Sequence, residues 1–186
     1  MVAAMAAPPK KTSKGTIVII SVVVLAVLAV PCIGVIAAIA IPSFIGYTRR
    51  AKTAEAETNL RSIFQGAAAY YVEEHPGPGG TTLTGCTVSS ERTSNEPGSF
   101  KTMLSIAPGS SFDALGVAPM DPVYYQYEIE SAGGCGHGPN EALYTFRAHG
   151  DLDGDGTPSR FELTAGSDPA NELFRAPEVD RENEVE

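Results

Sequence analysis

Tryptophan is absent from this 186-residue chain, and cysteine and histidine occur three times each. Tyr and Phe, seven of each, are therefore the large aromatics available to a core. The few Cys and His are scattered without the paired spacing of a zinc site, so His137 beside Cys135 does not read as part of one. Basic residues are also scarce: 13 Lys and Arg stand against 22 Asp and Glu, a net charge of −9. A nucleic-acid-binding domain needs a basic face, so that class is excluded and no nucleic-acid partner is expected. No P-loop, GxSxG, HExxH or dinucleotide-binding fingerprint occurs, and no catalytic constellation is evident, so an enzyme is not expected. The length rules out a large multidomain assembly on one chain.

The missing charge is concentrated in one place. Residues 1–45 contain no Asp or Glu and only Lys10, Lys11 and Lys14, so the negative balance is built entirely beyond them. From Gly15 to Thr48 no residue is charged, and Thr16–Ile45 is almost wholly apolar. As helix, that run spans roughly 45 Å against about 30 Å of hydrocarbon, enough to cross a bilayer. A secretory signal has a much shorter apolar region, so the run reads as an uncleaved anchor in membrane lipid. Cys32 follows Leu28-Ala29-Val30-Pro31; the proline argues against lipid attachment there and leaves a small apolar residue inside the helix. Lys10, Lys11 and Lys14 on one flank nearly balance Arg49, Arg50 and Lys52 on the other, so the positive-inside rule is close to a tie. The pair Cys86 and Cys135 in the C-terminal bulk suits an oxidising compartment and breaks it. The expected order is a short cytoplasmic or leader-like segment over 1–15, the transmembrane part of a helix over 16–45, and the remainder outside the cytoplasm.

The helical pattern does not stop at the end of the apolar run. Ala56, Leu60, Ile63, Phe64, Ala67, Tyr70 and Tyr71 recur at three-or-four spacing, with Arg49, Arg50, Glu55, Glu57, Arg61 and Gln65 on the other face. Only Gly66 interrupts the good helix formers, and His75-Pro76-Gly77-Pro78-Gly79-Gly80 cannot continue them. The spacing predicts one helix, kinked at Pro42, whose amphipathic continuation covers 46–74.

The segment GVIAAIAIPSFIGYTRRAKTAEAETNL resembles the N-terminal helix of type IV pilins and of the pseudopilins of type II secretion, and the match covers residues 34–72. FDALGVAPMDPVYYQYEIE is weakly similar to the first head strands of that family. The resemblance implies a long helix packed on a four-stranded antiparallel sheet, assembly with other pilin or pseudopilin subunits through the helix, and a bacterial inner-membrane location with the head in the periplasm or on a filament. It also implies cleavage by a prepilin peptidase after a Gly, with a Glu five residues on. Lys14-Gly15-Thr16 resembles such a leader end, which makes Gly15 the candidate cleavage position. Counted back from Pro42, however, the family's Gly falls on Ile20 and its Glu on Leu25. A lipid-buried Glu needs a partner charge from a neighbouring subunit, and a chain without it lacks that device for setting register. The alternative is therefore a permanently anchored, non-polymerising module that binds calcium or a partner outside the cytoplasm.

Residues 75–186 read as a β-rich head with an acidic tail. The Gly/Pro/Ser/Thr-rich stretch 75–100 reads as a long surface loop. Strands are expected at Pro122–Glu130, Glu141–Ala148 and Arg160–Thr164, the first carrying Tyr124, Tyr125 and Tyr127 as cross-strand or core aromatics. One helix covering one face of a small antiparallel sheet is an α+β fold. A Cys86–Cys135 disulfide would restrain the Gly/Pro-rich loop; spacing alone leaves two free thiols open.

The strongest chemical motif is Gly150-Asp151-Leu152-Asp153-Gly154-Asp155-Gly156-Thr157-Pro158-Ser159-Arg160-Phe161-Glu162. Carboxylates at alternate positions 151, 153 and 155 project into one turn, Gly156 permits the backbone reversal, and Thr157 can offer its carbonyl. Glu162 stands at the twelfth place. This resembles an EF-hand-type loop and predicts a structural Ca2+ held by six to eight oxygens, although the flanks read as strands and Pro158 removes an N–H. Two readings of Glu162 remain, a metal ligand or a solvent-facing strand residue between Phe161 and Leu163. Without an ion the segment is an Asp/Gly turn with solvated carboxylates.

Overall fold

The structure is a computed structural model and describes residues 14–117 and 121–184. Lys10 and Lys11, with the rest of residues 1–13, lie outside the described residues, as does part of the second family-like segment. The helix α1 spans Lys14–Val72, with Gly15 in its first turn. Pro31 and Pro42 both lie inside it, and the helix continues through each. Each proline lacks the N–H that would reach four residues back, so the carbonyls of Val27 and Ala38 lose their usual donors.

The chain divides between Ile45 and Gly46 into two compact units. The described residues of the first, 14–45, are helix, and aliphatic side chains among them, including Ile19, Leu25, Val30 and Ile39, are exposed. It is long and apolar enough to cross a membrane. Two hydroxyls bond back within the helix: Ser21 Oγ donates to the Ile17 carbonyl and Ser43 Oγ to that of Ile39, both at 2.9 Å.

The second unit is an α+β head in which the remainder of α1 packs on an antiparallel sheet. Ala56, Leu60, Ile63, Ala67 and Tyr71 form the buried stripe of the helix, as the periodicity predicts. They meet Tyr125, Tyr127, Ile129, Phe146, Phe161 and Leu163 in one core. Full burial of a Leu, Ile or Phe side chain contributes about 1.5–3 kcal/mol, which makes this contact the main support of the head. Asn59 adds a polar tie, donating from Nδ2 to the Tyr127 hydroxyl at 2.7 Å. Burial pushes the Tyr127 and Tyr144 phenols up, the latter to about 12, so both stay neutral hydroxyls; the Tyr144 oxygen accepts from the Val88 amide at 3.1 Å.

Small elements follow the helix: β1 (His75–Pro76) pairs with β2 (Thr82–Leu83), and β3 is Glu91–Arg92. A single turn, α2 (Ser111–Ala114), is capped by the Ser110 hydroxyl, which accepts from the Asp113 amide. The main strands are β4 (Gln126–Ser131), β5 (Ala142–Gly150) and β6 (Ser159–Ser167), followed by β7 (Leu173–Arg175) and β8 (Asp180–Glu182). The sheet order is β3-β4-β5-β6-β7, and β8 also pairs with β6. Among the described residues this sheet has six strands, which corrects the family-like expectation of four.

Two further expectations change. The 75–100 stretch is not a simple surface loop: Cys86, Thr87, Val88, Thr93 and Asn95 are buried, because Thr93 and Asn95 bond to the backbone of Tyr127 and Tyr125. The acidic tail forms β8, where Arg181 pairs with Glu57 of the helix at 2.5 Å and Arg160 with Glu182 at 3.1 Å. The Cys86–Cys135 disulfide is formed, at the Tyr71 end of the helix, where the Gly85 amide donates to the Tyr71 carbonyl.

Candidate metal centre

The strand alternation of β5 and β6 sets the site. The hairpin closes with Gly150 opposite Ser159, and residues 151–158 bulge from its tip. Ser159 Oγ donates to the Gly150 carbonyl at 3.2 Å and ties the base of the loop. Gly150 is required there: a Cβ would lie 2.3 Å from Cε1 of the buried Tyr125 ring. Leu152 is the one apolar residue of the tip and is buried, so the loop is pinned on its underside while its carboxylates face outward.

Asp151, Asp153 and Asp155 come together as the spacing predicts, one carboxylate oxygen from each lying within 4.8 Å of the others. Backbone amides orient them. Asp151 accepts from the Gly154 amide at 2.7 Å and from the Gly156 amide at 3.2 Å; Asp155 accepts from the Thr157 amide at 2.7 Å. Asp153 Oδ1 accepts from the Asp155 amide at 3.3 Å. Gly154 and Gly156 have φ of +76° and +87°, a region that an L side chain rarely adopts, which is why the motif needs glycine at both. Thr157 enters through its amide, with its residue exposed.

Three hard carboxylates converging in one turn fit a hard divalent cation of calcium's kind. The remaining ligands of a six-to-eight oxygen shell would be carbonyls and water. Glu162 does not belong to the set. It sits three residues up β6 from Ser159, about 10 Å along the strand, between the buried Phe161 and Leu163. There its carboxylate accepts from Arg147 Nε at 2.7 Å, while Arg147 Nη1 pairs with Glu130, also at 2.7 Å. The twelfth-ligand reading is corrected: hairpin register places 162 opposite 147, not over the loop.

No protein-family model, no curated protein and no solved structure matches the chain.

One charged residue at the site escaped the motif reading. Arg49, the first charged residue after the apolar run, reaches Asp153 Oδ2 with Nη1 at 3.3 Å. The loop tip therefore lies against the first charged turn of the head's helix. The next turns continue the contact: Glu55 accepts from the Tyr124 amide at 2.8 Å and pairs with Lys101 at 2.9 Å, and Lys52 lies over the Tyr124 ring at 4.4 Å. Tyr124 thus faces the helix cations, while Tyr125 and Tyr127 are core, in line with the strand pattern.

The outer sheet face carries a separate charge ladder. Arg92 and His149 both bond to Glu128 Oε2, at 2.8 and 3.0 Å. Burial draws the Glu128 carboxyl upward, but the hydrogen bonds from His149 and Arg92 outweigh it and hold the group below the ordinary carboxylate range. His137, near Cys135, bonds to Thr87 and Glu141 and joins no metal cluster among the described residues.

Proposed function

We propose that the protein is a membrane-anchored structural subunit of pilin-like type, a minor component of a type IV pilus or a type II secretion pseudopilus. Its head stands outside the bacterial inner membrane, in the periplasm or on a surface filament, and is braced by a calcium ion on Asp151, Asp153 and Asp155. The observation that carries this reading is the single helix Lys14–Val72, apolar and exposed through its first half and striped for sheet packing in its second. An anchor followed by a separate domain would place a linker between the two; this chain has none.

The role is mechanical rather than catalytic. The apolar run would hold the subunit in lipid and then against neighbouring subunits, the disulfide and the ion would stiffen the head, and the carboxylates would take no part in proton transfer. A second reading, an anchored module that never polymerises, is favoured by Leu25 and Ile20 at the family's Glu and Gly positions. Shearing cells that express the full chain separates the two. Release of filaments containing it, together with an intact mass lacking residues 1–15, supports the pilin-like reading. Complete retention in the membrane with residues 1–15 present overturns polymerisation and leaves the permanent anchor.

A further inference from the structure

Cys86 and Cys135 stand opposite each other on two antiparallel segments of the head. The backbone bridge between Thr87 and Gly134, one residue farther on, sets that register. Main-chain bonds lie on both sides of the pair. The Thr87 amide donates to the Gly134 carbonyl at 2.7 Å, the Gly136 amide to that of Thr84 at 3.1 Å and the His137 amide to that of Gly85 at 3.2 Å. Side chains add to them: Thr87 Oγ1 lies 3.2 Å from His137 Nε2, and Asn171 Nδ2 donates to the His137 carbonyl at 3.2 Å. The two segments thus have a pairing of their own besides the disulfide.

The surroundings of the two cysteines differ. Cys86 is fully buried between Gly85 and Thr87, themselves buried, and a Cβ on Gly85 would lie 3.1 Å from the His137 carbonyl oxygen. Cys135 is exposed, in the run Gly133-Gly134-Cys135-Gly136. Those three glycines carry no side chain that could shield it, and nothing lies within 4 Å of where a Cβ on any of them would be. Thiol–disulfide exchange starts with thiolate attack on one sulfur of the pair, and access decides which sulfur that is.

We propose that Cys135 is the exchange site of this disulfide, through which an external dithiol opens it and an external disulfide closes it while the head stays folded. In opening, a thiolate of the dithiol bonds to Cys135 Sγ and the Cys86–Cys135 bond breaks. Its electron pair goes to Cys86 Sγ, which takes a proton from water. The second thiol of the dithiol loses its proton, attacks its partner sulfur and expels Cys135 as thiolate. The protein is then reduced by two electrons and the dithiol oxidised to a disulfide by the same two. Closing reverses the steps: the Cys135 thiolate attacks the external disulfide, and deprotonated Cys86 attacks Cys135 Sγ and expels the carrier's thiolate. Main-chain pairing keeps Cys86 opposite Cys135 between the two steps, so that resolution is intramolecular.

The test uses the full chain in detergent, with the free Cys32 changed by Cys32→Ala. The native disulfide is opened with excess reduced glutathione, quenched in acid at short times and mapped by mass spectrometry. Glutathione is expected on Cys135 over Cys86 by about ten to one or more, with an opening rate proportional to glutathione concentration. Equal adducts at the two positions overturn the assignment. So does a rate that levels off as glutathione rises, because the fold then opens before the thiol arrives. In the fully reduced chain, slow amide exchange at Thr87, Gly136 and His137 is expected to persist; its loss shows that the disulfide alone holds the segments and overturns the intramolecular step. Cys86→Ser and Cys135→Ser variants give a second reading. Oxidised glutathione is expected to modify Cys135 in the first about ten-fold faster than Cys86 in the second, the difference vanishing in urea. Equal rates in variants that still melt cooperatively overturn the proposal, and should a variant not fold, the native-disulfide measurement decides.

Discussion

Gly66 offers a test in which helix propensity and packing oppose each other. In a helix interior Gly costs roughly 0.5–1 kcal/mol relative to Ala, so propensity alone makes Gly66→Ala stabilising. The structure gives the opposite sign. A Cβ at position 66 would lie 2.1 Å from the backbone carbonyl oxygen of Leu115 and 3.0 Å from its carbon. Ordinary contact needs about 3.5 Å, so helix and loop must part by more than 1 Å. The obstacle is backbone, in a turn held by the bonds Gly116 N–H to Asp113 and Val117 N–H to Phe112, and it cannot swing aside as a side chain would. Such overpacking costs about 1–3 kcal/mol, which against the propensity gain leaves a net destabilisation of up to about 2.5 kcal/mol. For a chain of this length that lowers Tm by up to about 10 °C. Gly46, in the same helix with nothing within 4 Å of its Cβ position, is the control. Gly46→Ala is expected to be neutral or to raise Tm slightly. Thermal melts of the three full-length proteins in one detergent, followed by circular dichroism, read the difference. A Tm for Gly66→Ala equal to or above that of Gly46→Ala refutes the close approach of helix and loop.

Calcium at about a hundred times its Kd is expected to stabilise the head by about 2.7 kcal/mol, a rise of roughly 5–11 °C that chelator reverses and Asp151→Asn abolishes. A midpoint indifferent to calcium removes the ion from the proposal. Glu128 is held below its ordinary value of 4.5 in the fold, so it adds stability above that pH and loses it as pH falls through the lowered value. Urea titrations are therefore expected to show Glu128→Gln less stable than wild type at pH 7, with the gap closing in acid; a constant gap from pH 7 to 3 contradicts the pairing. Reduction of Cys86–Cys135, which joins residues 49 apart, is expected to lower stability by about 2–4 kcal/mol, read by urea unfolding with and without reductant. Glu162→Gln is expected to leave the calcium-induced rise intact, because its carboxylate serves Arg147; loss of the rise would restore the twelfth-ligand reading.

The helix and the three long strands were legible because burial leaves a period. Ala56 to Tyr71 repeat at helical spacing, and β4 to β6 alternate along QYEIES, ALYTFRAHG and SRFELTAGS. The Asp151–Asp155 cluster was legible for the same local reason, since a tight turn brings alternate residues together whatever surrounds it. Elements held by long-range polar contacts were not. All three residues of β8 are exposed, so no alternation marks it, and ion pairs to Arg160 and Glu57 fix its place. Thr93 and Asn95 look like loop residues and are buried because strand backbone from a distant segment satisfies them. Glu162 was misplaced by counting along the chain. Once Gly150 and Ser159 are opposed, pairing across the hairpin decides its neighbour, and that is Arg147. Arg49's contact with Asp153 joins positions about a hundred residues apart, and spacing carries no trace of it.

The disulfide and the carboxylate loop mark opposite ends of the head's helix, one beside Tyr71 and the other beside Arg49, about 33 Å apart at 1.5 Å per residue. Perturbations so far apart and without shared partners act almost additively. The disulfide answers to reductants and the loop, if it holds the proposed ion, to chelators, so each could be undone while its counterpart stays shut. On the proposed reading the two could close in either order, and a fault in one would not spread to the other.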